Sequence, residues 1–249
     1  MKIGRAETIR QNSLEVDSQV KFELEDTTIL VTGSTGGIGP SLTDRLGKFV
    51  SHLVGTYRNE EELDEARDRA KRDQAVDYYS LDLTDEKQLL FFKDRLSNQN
   101  IEIDGIVNLV GGYSRSSLRD SSPQLLKNSF ERQVTTCYLA IKTFADVLES
   151  HRGSVVNFSS ATALQAEAGQ LAYNIAKAGV STLTRSIAKE FDQARCNAIA
   201  PSIMDTPANR QAMPEADTST WVEPEEVADV TAFLLSERSQ ALNGQIFHL

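Results

Sequence analysis

Tyr173 and Lys177 stand four residues apart in the stretch from Gln170 to Phe191, QLAYNIAKAGVSTLTRSIAKEF. On a helix that spacing puts the phenol and the ammonium on one face. An ammonium beside a phenol favours the phenolate, so a pKa of about 10 is expected to fall. A tyrosine tuned in this way can exchange a proton with a reacting oxygen near neutral pH. The same pair also occurs on ordinary surface helices, so its meaning depends on the rest of the chain. A second stretch supplies context: Thr32-Gly33-Ser34-Thr35-Gly36-Gly37-Ile38-Gly39, followed by Pro40. Glycines let a backbone approach an anion closely, and a helix opening there offers free N–H groups and a positive dipole end. The spacing differs from Gly-x-Gly-x-x-Gly, and by itself the turn reads either as structural or as a phosphate cradle. A strand before it and a strand–helix alternation after it favour a dinucleotide.

The elements that must position these residues follow from hydrophobic pattern. Strands are expected at 27–32, 51–57, 75–81, 104–110, 153–160 and 195–200, and the chain ends on a seventh, GQIFHL. Helices are expected at Glu60–Arg72, 85–96, within Phe130–Leu148 (from the stripe Val134, Cys137, Tyr138, Ile141, Ala145, Leu148), over the Tyr173 stretch, and at Glu223–Leu235. This alternation predicts an α/β fold, a single-domain doubly wound parallel sheet of about seven strands with helices on both faces. Residues 1–24 are polar and read as an extension, with a short edge strand through Val16, Val20, Phe22 and Leu24 as the alternative; the folded domain is expected over 25–249.

Composition narrows the partners. Lys plus Arg number 26 against 36 Asp plus Glu, a net charge of −10 that repels nucleic acid and anionic membranes. No apolar run has the length of a membrane span. Two cysteines far apart, Cys137 and Cys196, and three scattered histidines show no ligand spacing, so no protein-built metal site and a reduced, cytoplasmic setting are expected.

The order of motifs (TGSTGGIG, then NLVGG after the fourth strand, then Ser160, then Tyr-x-x-x-Lys) resembles the short-chain dehydrogenase/reductase family from about Glu25 to the end. The resemblance implies a Rossmann sheet and hydride transfer between a nicotinamide cofactor and a carbonyl or alcohol. It implies that Gly33, Thr35, Gly37, Ile38 and Gly39 hold the cofactor. Ser160, thirteen residues before Tyr173, would hold the reacting oxygen that Tyr173 protonates, and Lys177 would lower the Tyr173 pKa while binding the nicotinamide ribose. Gln133 falls where the family carries a relay Asn, and reads equally as an ordinary helix residue. Asn108 and Gly111 fall in the family's Asn-Asn-Ala-Gly, with Leu109 replacing its second Asn. Asp82 and Leu83 match the pair beside the adenine, unless Asp82 only caps the next helix. Pro201, Ile203 and Thr206 fall where the carboxamide is held; Thr206 reads equally as a turn cap, and Ser202 replaces a Gly. At the end of the second strand Tyr57-Arg58 stands where NAD-users place an acid, so NADP(H) is expected and NAD(H) is the alternative, with Arg58 either on a 2′-phosphate or solvated. Apolar or small residues surround the Tyr173 helix, which favours a homodimer or homotetramer.

The segment Asp205–Trp221, with Gly111-Gly112-Tyr113, resembles the quinonoid dihydropteridine reductases. The two segments would then face each other across the substrate cleft, where Tyr113 and Trp221 either offer flat faces to a pterin or another ring or pack without any ligand. Ser160 and Arg58 depart from that pattern. Gln133, Leu109 and Ser202 leave room for a third reading, a dinucleotide-binding regulator without turnover.

Overall fold

The computed structural model describes residues 22–69 and 76–249. In chain order it contains β1 (Thr28–Thr32), α1 (Gly39–Leu46), β2 (His52–Tyr57), α2 (Glu60–Arg69), β3 (Val76–Ser80), α3 (Glu86–Asn98), β4 (Gly105–Asn108), α4 (Pro123–Phe130) and α5 (Thr136–His151). Then follow β5 (Ser154–Phe158), α6 (Ala161–Gln165), α7 (Leu171–Glu190), β6 (Arg195–Ala200), α8 (Pro207–Ala212), α9 (Pro224–Leu235) and β7 (Ile246–His248). The strands form one parallel sheet in the order β3-β2-β1-β4-β5-β6-β7. The chain reverses direction between β1 and β4, which opens a crevice at their carboxyl ends. This is the doubly wound architecture expected from the alternation.

Alternation along β1 shows how the sheet divides the core. Ile29 and Val31 face a cluster with Leu42, Leu46, Val227 and Leu235 of α1 and α9. Leu30 faces the opposite cluster, with Leu89 and Phe92 of α3 and Phe144 and Leu148 of α5. Full burial of each such side chain is worth about 1.5–3 kcal/mol. Phe22 and Leu24 join the first cluster, and the Phe22 ring meets Phe49 edge-on at 4.8 Å. The packed body therefore begins ahead of the boundary expected at Glu25; residues 1–21 lie outside the described ones, as do 70–75 at the expected end of α2 and start of β3.

Helix starts are set by local chemistry. Asp85 accepts from the Lys87 and Gln88 N–H groups to start α3, Ser122 accepts from Leu125 N–H before Pro123, and Glu223 with Glu226 forms a capping box at α9. β3, β4 and β5 stop short of their expected carboxyl ends, while β1, β2 and β6 end where expected. β5 stops at Phe158, and Ser159 and Ser160 leave the sheet to begin α6. Between α4 and α5, Glu131–Thr135 forms a π-helical turn in which Thr136 N–H reaches back to the Glu131 carbonyl. The hydrophobic stripe does not announce this turn. It turns Gln133 and Val134 into the interior. Among the described residues no helix is long and apolar enough to cross a membrane.

Candidate active site

Thr32, Asn108 and Asn157 lie side by side in the sheet register at the carboxyl ends of β1, β4 and β5. Their side chains form a buried chain: Thr32 Oγ1 donates to Asn108 Oδ1 at 3.2 Å, and Asn108 Nδ2 donates to Asn157 Oδ1 at 2.8 Å. Asn157 Nδ2 then donates to Thr184 Oγ1 of α7 at 3.0 Å. Asn108, expected at the cofactor, thus spends its amide on joining the glycine turn's strand to the helix that carries Tyr173. Asn157 completes that link, and the sequence reading did not single it out.

The turn after β1 is built for close approach. Gly33 has φ +65° and Gly37 φ +53°. A Cβ on Gly39 would lie 2.2 Å from the Ser34 carbonyl oxygen, so only glycine closes this turn. Ser34 N–H and Oγ both donate to the Thr56 carbonyl at 3.0 Å, anchoring the turn to β2. Over Gly36 and Gly37 an added Cβ would meet no atom within 4 Å. Helix α1 has no side-chain cap at Ile38 and no acidic residue in its first turn. Open space above uncapped helix N–H groups fits a dinucleotide pyrophosphate. Thr35 is turned elsewhere, with its hydroxyl donating to Glu62 of α2 at 3.3 Å. Arg58 is exposed and lies near Asp82, whose carboxyl is held below its ordinary range first by the Thr84 hydroxyl and N–H, with Arg58 contributing least. Asp82 instead holds the turn at Thr84 (2.7 and 3.0 Å), the cap of the next helix falling to Asp85, and Leu83 is buried. Thr206 likewise serves as a cap, accepting from Asn209 N–H at 3.2 Å at the start of α8. Ile203 is partly exposed beside buried Pro201.

Two pairs form from α7, the end of β5 and the π-turn: Ser160 against Tyr173, and Lys177 with Gln133 behind Gly111. Lys177 is buried, and its Nζ donates to the Phe158 carbonyl at 2.7 Å. Burial lowers its pKa to about 8. The expected effect on Tyr173 is corrected: its pKa is raised, because loss of solvation outweighs the lowering from Ser160, and Tyr113 adds to the rise. Lys177 shares the face of Tyr173 but reaches past it to β5. Gln133 is 1% exposed; its Nε2 reaches the Gly112 carbonyl at a long 3.5 Å, and its Oε1 has no partner among the described residues. A Cβ on Gly111 would lie 3.4 Å from Lys177 Nζ and 3.8 Å from Gln133 Oε1. Gly111 thus fronts on both, and the open corner between an ammonium and an orphaned carbonyl suits a polar group.

Tyr113 is 62% exposed and meets the Tyr173 ring edge-on, with centroids 5.3 Å apart. Of the two readings left open for Trp221, the structure favours packing: it is 8% exposed and packs inward, beside the bridge that joins Met204 to Val222. Sequence reasoning missed Thr162, Gln170 and Glu167. Ser160 Oγ lies 2.9 Å from Thr162 Oγ1, Thr162 Oγ1 donates to Gln170 Oε1 at 3.4 Å, and Gln170 Nε2 donates to Glu167 Oε2 at 3.1 Å. Only the position of Gln170, three residues before Tyr173, hinted at it.

A family model described as Enoyl-(Acyl carrier protein) reductase, one of the short-chain dehydrogenase/reductase models, matches residues 33–249. The chain belongs to the short-chain dehydrogenase/reductase family. It is 28% identical over 244 residues to the 3-oxoacyl-[acyl-carrier-protein] reductase of Thermotoga maritima, covering 90% of this chain and 96% of that protein. It is 29% identical over 247 residues to the galactitol 2-dehydrogenase of Rhizobium johnstonii, covering 93% and 96%. A short-chain dehydrogenase of Shigella flexneri solved with NADP shares the fold, with a TM-score of 0.83, 22% identity and 92% and 98% coverage. The chain is accordingly a short-chain oxidoreductase of a family that binds nicotinamide dinucleotides.

Proposed function

We propose that the protein transfers hydride between NADP(H) and a small carbonyl or alcohol substrate, with Ser160, Tyr173 and Lys177 as the reacting group. The observation that carries this reading is the placement of Ser160 against Tyr173, with the Lys177 ammonium behind Gly111 on the Tyr173 helix, at the same carboxyl end of the sheet as the uncapped glycine turn. The nicotinamide, when bound, supplies or accepts the hydride. Tyr173 gives its phenolic proton to the substrate oxygen on reduction and takes it back on oxidation. Ser160 would bind that oxygen, and Lys177 would hold the ribose hydroxyls and offer a charge that favours the phenolate. Gln133 Oε1, the orphaned acceptor, would hold a water against Lys177 Nζ. Arg58 supports NADP(H) through charge-assisted bonds to a 2′-phosphate, while Glu62 beside Thr35 is the charge that opposes it.

The pterin-reductase alternative keeps Tyr113 as a ring platform but loses Trp221 to the interior. Exposed Leu126, Phe130 and Ile175 line an apolar groove between α4 and α7, which supports homo-oligomerisation through that face. We take the substrate to be a small molecule and the setting to be the cytoplasm expected from the composition. The test is NADPH and NADH oxidation with small ketones, 3-oxoacyl thioesters and quinonoid dihydropterin, comparing the wild type with Tyr173→Phe. Turnover should fall about 10²- to 10⁴-fold in the variant while NADPH binding is retained. NADPH binding without Tyr173-dependent turnover on any acceptor would leave a regulator instead.

A further inference from the structure

Hydrogen counting along the chain from Glu167 to Ser160 fixes a direction. A carboxylate oxygen only accepts, so the Gln170 atom 3.1 Å from Glu167 Oε2 is the amide nitrogen, and Gln170 Oε1 is turned toward Thr162. An amide oxygen also only accepts. Thr162 therefore spends its single hydroxyl hydrogen on Gln170. The 2.9 Å contact between Ser160 Oγ and Thr162 Oγ1 then has one consistent donor, Ser160. Its only hydrogen points away from Tyr173, and its lone pairs face the reacting corner.

The loop that carries this chain is held in place. Glu167 N–H donates to the Thr162 carbonyl, and Asn174 Nδ2 donates to the Glu167 carbonyl at 2.6 Å. Gln170 is 8% exposed, and its backbone bridges Ser116 of the loop after β4. We propose that Thr162, Gln170 and Glu167 are positioning residues that orient the Ser160 hydroxyl as an acceptor toward Tyr173 and the substrate oxygen, so that the resting site matches a substrate hydroxyl and must reverse its chain to receive a carbonyl. This rests on the reading of Ser160 and Tyr173 as the reacting pair. Ser160 lowers the Tyr173 pKa as a donor to the phenolate, and the chain competes for that donation.

The consequence is measurable without a substrate. Ring-¹³C tyrosine labelling gives one titration per tyrosine, and Tyr173→Phe identifies the Tyr173 signal. The other groups facing Tyr173 are Lys177 on its own helix and Tyr113 from the loop after β4, with the Glu167 carboxylate at the far end of the chain; Thr162→Val leaves all three in place. Thr162→Val removes the acceptor, frees the Ser160 hydrogen, and should lower the Tyr173 pKa by about half a unit to one unit, the worth of one hydrogen bond. Gln170→Leu should shift it the same way, because Thr162 can then donate to Ser160. Thr162→Ser should keep the wild-type value, and Thr162→Ala should match Thr162→Val. An unchanged or raised pKa in Thr162→Val and Gln170→Leu overturns the proposal. So does a shift that grows from valine to alanine or that serine fails to restore, since that marks a loosened loop. The titration stands apart from turnover: persistent activity in Tyr173→Phe would sink the catalytic reading and leave the direction of the chain still measured.

Discussion

Two cations are buried at opposite ends of the sheet, and the protein treats them differently. Arg195 opens β6 at the end remote from the site. Its guanidinium donates to the carbonyls of Leu234, Leu235, Ser236 and Ser239 and to Ser239 Oγ, at 2.7 to 3.4 Å. These are the last carbonyls of α9 and the turn after it, where a helix leaves acceptors unpaired and its dipole is negative. Lys177, beyond the carboxyl end of β5, donates to the Phe158 carbonyl alone among the described residues, beside an amide oxygen with no partner. Burial lowers the pKa of both cations. A satisfied charge stabilises the structure; one left with spare donors is available to a ligand.

Removing Arg195 should break this comparison most visibly. Arg195→Met removes every guanidinium bond to the end of α9, leaving to Ser154 and Ser239 what bonding the Leu234 and Ser236 carbonyls keep, and should cost about 3–5 kcal/mol of stability, read by urea unfolding. Cofactor binding by the fraction that remains folded should be unchanged, because the residue lies at the other end of the sheet.

Lys177→Met should do the reverse. The folded-state pKa of about 8 lies below the ordinary 10.5. Below pH 8 both folded and unfolded chains hold the proton, and the fold bears the cost of the buried charge. Between about 8 and 10.5 the unfolded chain binds more protons than the native one, so stability rises with pH. Lys177→Met should therefore be more stable than the wild type at pH 7, by about 1–3 kcal/mol, with the advantage shrinking as pH rises from 8 to 10.5. Activity should fall at the same time. A destabilised variant at pH 7 would show that Lys177 belongs with Arg195 as a structural cation.

The same contrast explains what was legible in the sequence. The places of the strands and helices along the chain, and the glycine turn, rest on periodicity and backbone freedom, which residues carry locally. The direction of the Tyr173 pKa does not. Four-residue spacing places Lys177 on the right face, but the reach of a four-carbon side chain to Phe158 is a tertiary fact. Trp221 read either as a platform or as packing because aromatic residues look alike in sequence whether they face a cleft or the core. The Glu167–Gln170–Thr162 chain depends on a loop with Ala166 at φ +54° and Gly169 at φ +81°, and no residue pattern announces it. Gln133 lay between these cases. Family resemblance located it, but only the π-turn puts its amide beside Lys177.

That turn leads to the smallest and sharpest expected effect. Gln133 Oε1 is buried without a partner, and its Nε2 bond to Gly112 is long at 3.5 Å. If the amide were there to hold the fold, its removal would destabilise the protein as Arg195→Met does. If its carbonyl is kept for a water or ligand beside Lys177, Gln133→Leu should change stability by no more than about 1 kcal/mol, since an orphaned acceptor leaves with the amide. Turnover should nonetheless fall, and the pH–rate profile should move, because the group facing the ammonium has changed. Urea unfolding and the pH dependence of kcat on the same preparation separate the two. A large loss of stability with an unmoved profile would return Gln133 to the role of an ordinary helix residue.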